Sequence, residues 1–280
     1  MEIRIFSFVL LILMVLIDMK IVITSGGTIE KIDEVRHITN NSTGTLGCAI
    51  AESFLRFEEI EEIIYVCALT AVVPQNKDRI KVYRVAGVQD LQDTLSHVLS
   101  NDKIDGIVHC MAVSDYSVDT VTSTSLLISQ IGSELSIPMD ASVESKAEFS
   151  SLIDRCLHAK NAISASGKIS SDMDDLIVVL KKTPKIISMF KPLQPQAILV
   201  GFKLLNNVTT DALIEAATHL MRSNGCDFVF ANDIAELSPE YHCGYLLQSN
   251  GTYEKISGRV QITDTIASSV INEAIRRVKL

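Results

Sequence analysis

The sequence predicts an α/β fold with a mainly parallel sheet, and two patterns carry that prediction. From Lys20 onward, short β-branched runs alternate with segments whose apolar residues recur at helical spacing. The first of those runs, Ile21-Val22-Ile23, also leaves through Ser25-Gly26-Gly27-Thr28, where two glycines let the backbone turn sharply and come close to a ligand. Gly44 to Leu55 then reads as a helix with Ser42 or Thr43 as its N-cap, and Glu62 to Ala68 returns as a β-run, completing one βαβ unit with a long first loop.

The later elements follow the same rules. Lys81 to Val85 is a third strand, and Val88, Leu91, Leu95, Val98 and Leu99 mark one face of a helix. Ile104 to His109 is a fourth strand. Ser117 to Gly167 is less regular and rich in serine, which predicts loops, a helix near Ser145 to His158, or a small subdomain closed by the breaker Ser166-Gly167. Leu176 to Leu180 and Ala197 to Phe202 read as strands on either side of Lys181 to Pro192, whose prolines bracket a short helix. Leu213, Ile214, Ala217, Leu220 and Met221 form a helical stripe, Phe228 to Phe230 a strand, and Ile266, Val270, Ile271, Ala274 and Val278 a terminal helix. No repeat and no Pro/Gly-rich linker divides residues 19–280, which are read as one domain with a small inserted lobe.

A chain of 280 residues, 47% apolar and 21% charged, has the balance of a soluble globular protein and not that of a disordered or fibrous one. Its net charge of −9 argues against a nucleic-acid partner, so any phosphate it binds sits in a local pocket. The six cysteines form no CxxC pair and have no histidine at zinc spacing, a pattern of reduced thiols in a reducing compartment. Phe6 to Ile17 is apolar but shorter than the roughly 20 residues of a spanning helix, and Ile17-Asp18-Met19-Lys20 offers no small-x-small cleavage site. Residues 1–18 therefore read as an extension upstream of a start at Met19, and the protein as cytoplasmic with no membrane partner.

The chemistry-bearing region is the loop from Arg36 to Gly47, which runs into a helix N-terminus. Small and hydroxyl residues at Ser42, Thr43, Gly44 and Thr45 leave backbone N–H groups open to an anion, and the helix dipole favours negative charge there. Ser42 and Thr43 also suit simple capping. Arg36 and Asn40 are harder to explain as caps, since a guanidinium and an amide in one small loop bind phosphate or carboxylate directionally. A nicotinamide-dependent oxidoreductase is a rival reading, but the GxGxxG spacing is absent. A non-catalytic nucleotide-binding subunit is another.

The run Ile23-Thr24-Ser25-Gly26-Gly27-Thr28, with Asp33, Val35-Arg36 and Thr39-Asn40-x-Ser42-Thr43-Gly44-x-Leu46-Gly47, resembles the opening motif of the phosphopantothenate-cysteine ligases of coenzyme A synthesis. The likeness continues through Ala112 to Tyr116, Gly167-Lys168-Ile169, Lys182 to Ile187, Val200-Gly201-Phe202 and Ala231-Asn232-Asp233. It implies a Rossmann-like fold, a homodimer, and a ligase that activates the carboxylate of 4'-phosphopantothenate with CTP, favoured over ATP, and Mg2+. An acyl nucleotidylate forms, pyrophosphate leaves, and cysteine's amino group then displaces the nucleoside monophosphate. The decarboxylase usually fused to such ligases has no counterpart in these residues, which implies a stand-alone ligase and a separate phosphopantothenoylcysteine decarboxylase as a partner.

By the same resemblance Asn40, Arg36 and Lys168 are the catalytic candidates, and Gly26, Gly27, Ser42, Thr43, Gly44 and Ala112 contact phosphopantothenate. His109, Cys110 and Met111, largely through their backbone, join Asp115, Lys168, Pro184, Lys185, Ile186, Ile187 and Phe202 around the nucleotide. Packing in the strand is the alternative role for His109 and Cys110. The metal ligands are not specified. Five positions depart from the family pattern. Met111 stands where a small residue is usual, and Ser170 and Ser171 replace two lysines of a KxKK flap that begins at Lys168. Leu220 and Asn224 occupy the places of two phosphate-holding lysines, for which Lys203 or Arg222 are candidate substitutes.

Overall fold

The computed structural model describes residues 18–135, 146–158, 163, 167–238 and 242–279, so the expectation for the apolar run at the N-terminus lies outside the described residues. Along the chain run β1 (Met19–Ser25), β2 (Ile29–Lys31), β3 (His37–Thr39), α1 (Thr45–Phe54), β4 (Ile60–Ala68), β5 (Ile80–Val85), α2 (Val88–Asn101) and β6 (Gly106–His109). They are followed by β7 (Tyr116–Thr122), α3 (Thr124–Leu135), α4 (Lys146–Leu157), β8 (Ile177–Lys182), a 3-10 turn over Ile186–Met189 and α5 (Phe190–Leu193). The last elements are β9 (Ile198–Leu205), α6 (Thr210–Asn224), β10 (Phe228–Asp233), β11 (Cys243–Gln248), β12 (Tyr253–Ser257) and α7 (Arg259–Val278).

The chain divides into two compact units. The first takes the chain up to Gly27, Asn41–Val113 and everything from Lys185, and the second takes Thr28–Asn40 and Ser114–Pro184. In the first unit eight strands form one sheet in the order β12-β11-β10-β9-β6-β1-β4-β5. The six from β5 to β10 run parallel, and β11 and β12 add an antiparallel edge. Numbered among themselves, the parallel strands follow the order 3-2-1-4-5-6 of a Rossmann-like sheet, which reverses direction between β1 and β6. The α/β, Rossmann-like expectation is thus borne out.

Two apolar clusters cover the two faces of this sheet because successive side chains of a strand point to opposite sides. On β1, Met19, Ile21 and Ile23 join Ile50 and Phe54 of α1 and Ile262, Ile266 and Val270 of α7. Val22, between them, faces Leu91 and Leu95 of α2, Phe190 of α5 and Leu213 and Ala217 of α6. Helix α6 has the end signals its sequence calls for. The Thr209 side chain accepts from the Ala212 N–H, and Gly225 takes the left-handed conformation that closes the helix, with φ 64°.

A charged hub ties the start of β10 to its neighbours. Asp227 accepts from Lys191 Nζ at 2.9 Å and from the Leu199 N–H at 2.8 Å, and it also pairs with the guanidinium of Arg277. Arg277 in turn bonds Glu273 at 2.8 Å. Hydrogen bonds from Arg276 first, and then from Arg277, hold the Glu273 carboxyl down to about 2.

The second unit contains the antiparallel hairpin β2–β3, the antiparallel ribbon β7–β8, and α3 packed on α4. The expected helix near Ser145 to His158 is α4, and Ser145 itself lies outside the described residues. Strand β7 and helix α3 occupy chain that had read as irregular. A shift of register between Val118 and Thr120 breaks the two-residue alternation that would have shown β7. For α3 a local signal existed: the Ser123 hydroxyl accepts from the Leu126 N–H at 3.2 Å, the geometry of an N-cap.

Candidate functional site

In the first unit, Gly26, Gly27 and Ala112 follow the ends of β1 and β6, the switch point outside which α/β sheets bind ligands. The two strand ends continue to pair beyond the sheet. Cys110 N–H bonds Thr24 O at 3.2 Å, Ala112 N–H bonds Gly26 O at 2.8 Å, and Gly27 bridges Ala112. Gly26, with φ 89°, is needed here twice over: its conformation is left-handed, and a Cβ would lie 2.7 Å from that of Ala71. The structure therefore places Gly26, Gly27 and Ala112 side by side.

Helix α1 begins beside them, with a correction to its expected cap. Neither Ser42 nor Thr43 caps it; the N-cap is Gly44, left-handed at φ 75°, and it carries no side-chain cap bond. The Thr43 hydroxyl instead donates to Thr45 Oγ1 at 3.3 Å. The reason is Ser25, whose hydroxyl donates to Gly44 O at 3.0 Å and fills the space that a side chain at Gly44 or Gly47 would need. With no side-chain bond from its N-cap and no acidic residue in its first turn, the positive dipole end of α1 suits an outside anion.

At the end of β6, burial and one hydroxyl define the state of His109. Thr24 Oγ1 lies 2.8 Å from His109 Nδ1 and accepts the Met111 N–H at 3.2 Å. Which of the two donates in the Thr24–His109 bond follows the tautomer of the imidazole. Burial also drives the His109 pKa down to about 4, so the ring stays neutral at physiological pH. Its edge meets Phe190, with ring centroids 5.1 Å apart. Burial pushes the Cys110 thiol up to about 12, which makes it a poor nucleophile. Met111 turns its side chain into the apolar cluster around Phe190 and Leu199, so its bulk is taken up by the core.

Ile186 is buried in that same cluster, Ile187 lies in contact range of Gly201, and Pro184 and Lys185 are exposed. Phe202 is partly exposed and packs its ring on Phe230 at 5.8 Å. Lys185 occupies the N-cap position of the 3-10 turn that follows it, without a side-chain cap bond.

In the second unit, the hairpin β2–β3 and the segment around Lys168 meet through a residue that sequence reasoning noted only as part of a motif. The Asp33 side chain, with no exposed surface, accepts the N–H groups of Val35 at 2.8 Å, Arg36 at 2.5 Å and Ile169 at 3.1 Å. The Arg36 guanidinium reaches Asp33 Oδ2 at 3.3 Å and Ile169 O at 3.5 Å. Arg36 and Lys168 are thereby brought to one place, with the Lys168 and Asn40 side chains exposed. Asp115 is held through its backbone: Thr183 N–H donates to Asp115 O at 3.0 Å, and Thr183 Oγ1 donates to Ser114 O at 2.6 Å.

The chain has counterparts among known proteins. A family model described as the DNA/pantothenate metabolism flavoprotein C-terminal domain matches residues 16–143 and 159–276. The chain belongs to that family. The coenzyme A biosynthesis bifunctional protein CoaBC of Haemophilus influenzae is 33% identical over 259 residues, covering 91% of this chain and 51% of the relative. That of Methanocaldococcus jannaschii is 25% identical, covering 90% and 50%. The chain thus spans about half the length of the curated relatives it matches. A crystal structure of the DNA/pantothenate metabolism flavoprotein from Streptococcus pneumoniae is 29% identical with a TM-score of 0.72, covering 91% of this chain and 99% of that one. A Cab2 variant in complex with phosphopantothenate-cysteine shares the fold at 17% identity, with a TM-score of 0.62 and coverage of 98% and 92%.

Within this DNA/pantothenate metabolism flavoprotein domain, the departures noted in the sequence acquire physical content. Leu220 packs into the apolar cluster near Gly201, and Asn224 spends its amide on Leu220 O at 3.0 Å, so neither position offers a cation. Arg222 is exposed and lines a cavity of about 250 Å³ together with Thr218, Gln248 and Ser249, whereas Lys203 lies on β9. Among the described residues no helix is long and apolar enough to cross a membrane.

Proposed function

We propose that the chain is the ligase that joins 4'-phosphopantothenate to cysteine, using a nucleoside triphosphate, with CTP ahead of ATP. The observation that carries this reading is the uncapped start of α1 beside Gly26, Gly27 and Ala112, in a chain whose family relatives are named for coenzyme A biosynthesis. Backbone N–H groups there suit the substrate's phosphate. The substrate carboxylate attacks the α-phosphorus of the nucleotide and pyrophosphate leaves. The cysteine amine then attacks the acyl carbonyl, loses a proton, and expels the nucleoside monophosphate.

Asn40 supplies an amide donor to the carbonyl oxygen as it gains charge, and Lys168 offsets charge on the departing pyrophosphate. By the motif resemblance, Met111, Lys185, Ile186, Ile187 and Phe202 of the first unit and Asp115 and Pro184 of the second are the proposed nucleotide contacts. No group of three or more His, Cys, Asp or Glu residues gathers to hold a metal among the described residues. Mg2+ would arrive on the nucleotide phosphates, where it would neutralise their charge.

The test is pyrophosphate release with CTP and ATP run side by side, omitting one component at a time. Pyrophosphate is expected only when phosphopantothenate, nucleotide and Mg2+ are all present, and faster with CTP. Reduction of NAD without pyrophosphate would instead support the oxidoreductase reading.

A further inference from the structure

We propose that the Asp33–Arg36 ion pair is a backbone clamp on Ile169 that sets the position of Lys168, which makes Asp33 and Arg36 positioning residues for the ligase step. The inference rests on the proposed function for the role of Lys168, but the clamp itself stands on geometry.

Both polar backbone groups of Ile169 are taken by the one ion pair. Its N–H donates to Asp33 Oδ2 at 3.1 Å, and its carbonyl accepts from Arg36 Nη2 at 3.5 Å. Because a peptide unit is planar, fixing the Ile169 N–H also fixes the Lys168 carbonyl in the same plane, and fixing the Ile169 carbonyl orients the next plane. The residue before the clamped one therefore leaves the backbone in a set direction, with its own side chain exposed. Ile169 is 2% exposed and adds an apolar anchor at the same point.

The carboxylate is built for this work. A buried charge is tolerated only when its oxygens are satisfied, and Asp33 receives three backbone N–H groups and a guanidinium. The Arg36 N–H, foremost among these, holds the Asp33 carboxyl below the usual carboxylate range, so it remains ionised. Two of those backbone donors, Val35 and Arg36, lie in the hairpin turn, and the third lies 136 positions further along the chain. Arg36, for its part, spends Nη1 on Asp33 and Nη2 on Ile169. Its contribution to the reaction then passes through Lys168.

A clamp of this kind predicts that its loss matters only while Lys168 is present. The experiment uses Asp33→Asn, Lys168→Ala and the double variant of the full chain, with kcat and KM for phosphopantothenate, and amide hydrogen exchange at Ile169. Asp33→Asn is expected to lower kcat about tenfold with KM changed by less than about twofold, and to change kcat by less than about twofold in the Lys168→Ala background. Ile169 exchange is expected to accelerate by about tenfold or more, because its amide loses its charged acceptor. A loss that repeats in full in the Lys168→Ala background, or exchange that does not change, overturns the clamp. Should Asp33→Asn fold poorly, Arg36→Gln leaves the buried carboxylate in place and is expected to show the same dependence on Lys168. Wild-type chain without ligase activity would overturn the proposed function, and the Ile169 exchange would still decide the clamp.

Discussion

Asn40→Ala is expected to lower kcat by about 10²- to 10³-fold while leaving the unfolding midpoint where it was. Asn40 follows β3, and its side chain is exposed. Two hydrogen bonds of its segment, from the Thr39 hydroxyl to Thr28 O at 3.0 Å and to Asn40 O at 3.2 Å, do not use the Asn40 side chain. In the proposed reaction, by contrast, the amide donates to an oxygen that gains charge only in the transition state, so its loss appears in kcat and much less in KM. Asn40→Asp keeps the shape but replaces the donor by a charge of the wrong sign, and should be at least as damaging. Steady-state kinetics together with a thermal melt check both; near wild-type kcat for Asn40→Ala would remove this residue from the chemistry.

Asp227→Ala is expected to destabilise the first unit by about 3 kcal/mol, because it leaves Lys191, Arg277 and the Leu199 N–H without their shared acceptor. The side chain of Asp227 is 14% exposed and those of Lys191 and Arg277 are 23% and 31% exposed, so solvent softens the loss below that of a fully buried network. In a chain of this size the expected fall in Tm is roughly 5–10 °C. Lys191→Ala removes one donor and keeps the carboxylate paired with Arg277, so it should cost less. Thermal unfolding of the two variants beside wild type measures the order; equal stability of Asp227→Ala and wild type would show that the hub contributes nothing.

The parallel strands were legible in the sequence for a physical reason. β1, β4, β6, β9 and β10 sit inside the sheet with helices on both faces, so they read as nearly continuous apolar runs. The edge was harder. β11 and β12 are joined through Asn250-Gly251, with Gly251 at φ 86°, and that dipeptide was a hairpin signal available in the sequence. The glycines and small residues of the site announced themselves as loops, since only such residues suit those turns. The error over Ser42 and Thr43 came from judging a cap by residue type, when Ser25, distant in sequence, held the helix entry. What could not be read at all was pairing over distance. Thr24 and His109 are 85 positions apart, Asp33 and Ile169 136, and only the fold shows that a loop aspartate which looks solvated is a fully buried hub.

In the proposed reaction the carboxylate of phosphopantothenate is activated as an acyl nucleotidylate before cysteine attacks. The most direct measurement is mass spectrometry of the products after reaction of carboxyl-¹⁸O phosphopantothenate with cysteine, CTP and Mg2+. The expected products are phosphopantothenoylcysteine and cytidine monophosphate carrying one ¹⁸O from the carboxylate, released alongside unlabelled pyrophosphate. Amide product with unlabelled cytidine monophosphate, or label in inorganic phosphate, would contradict it.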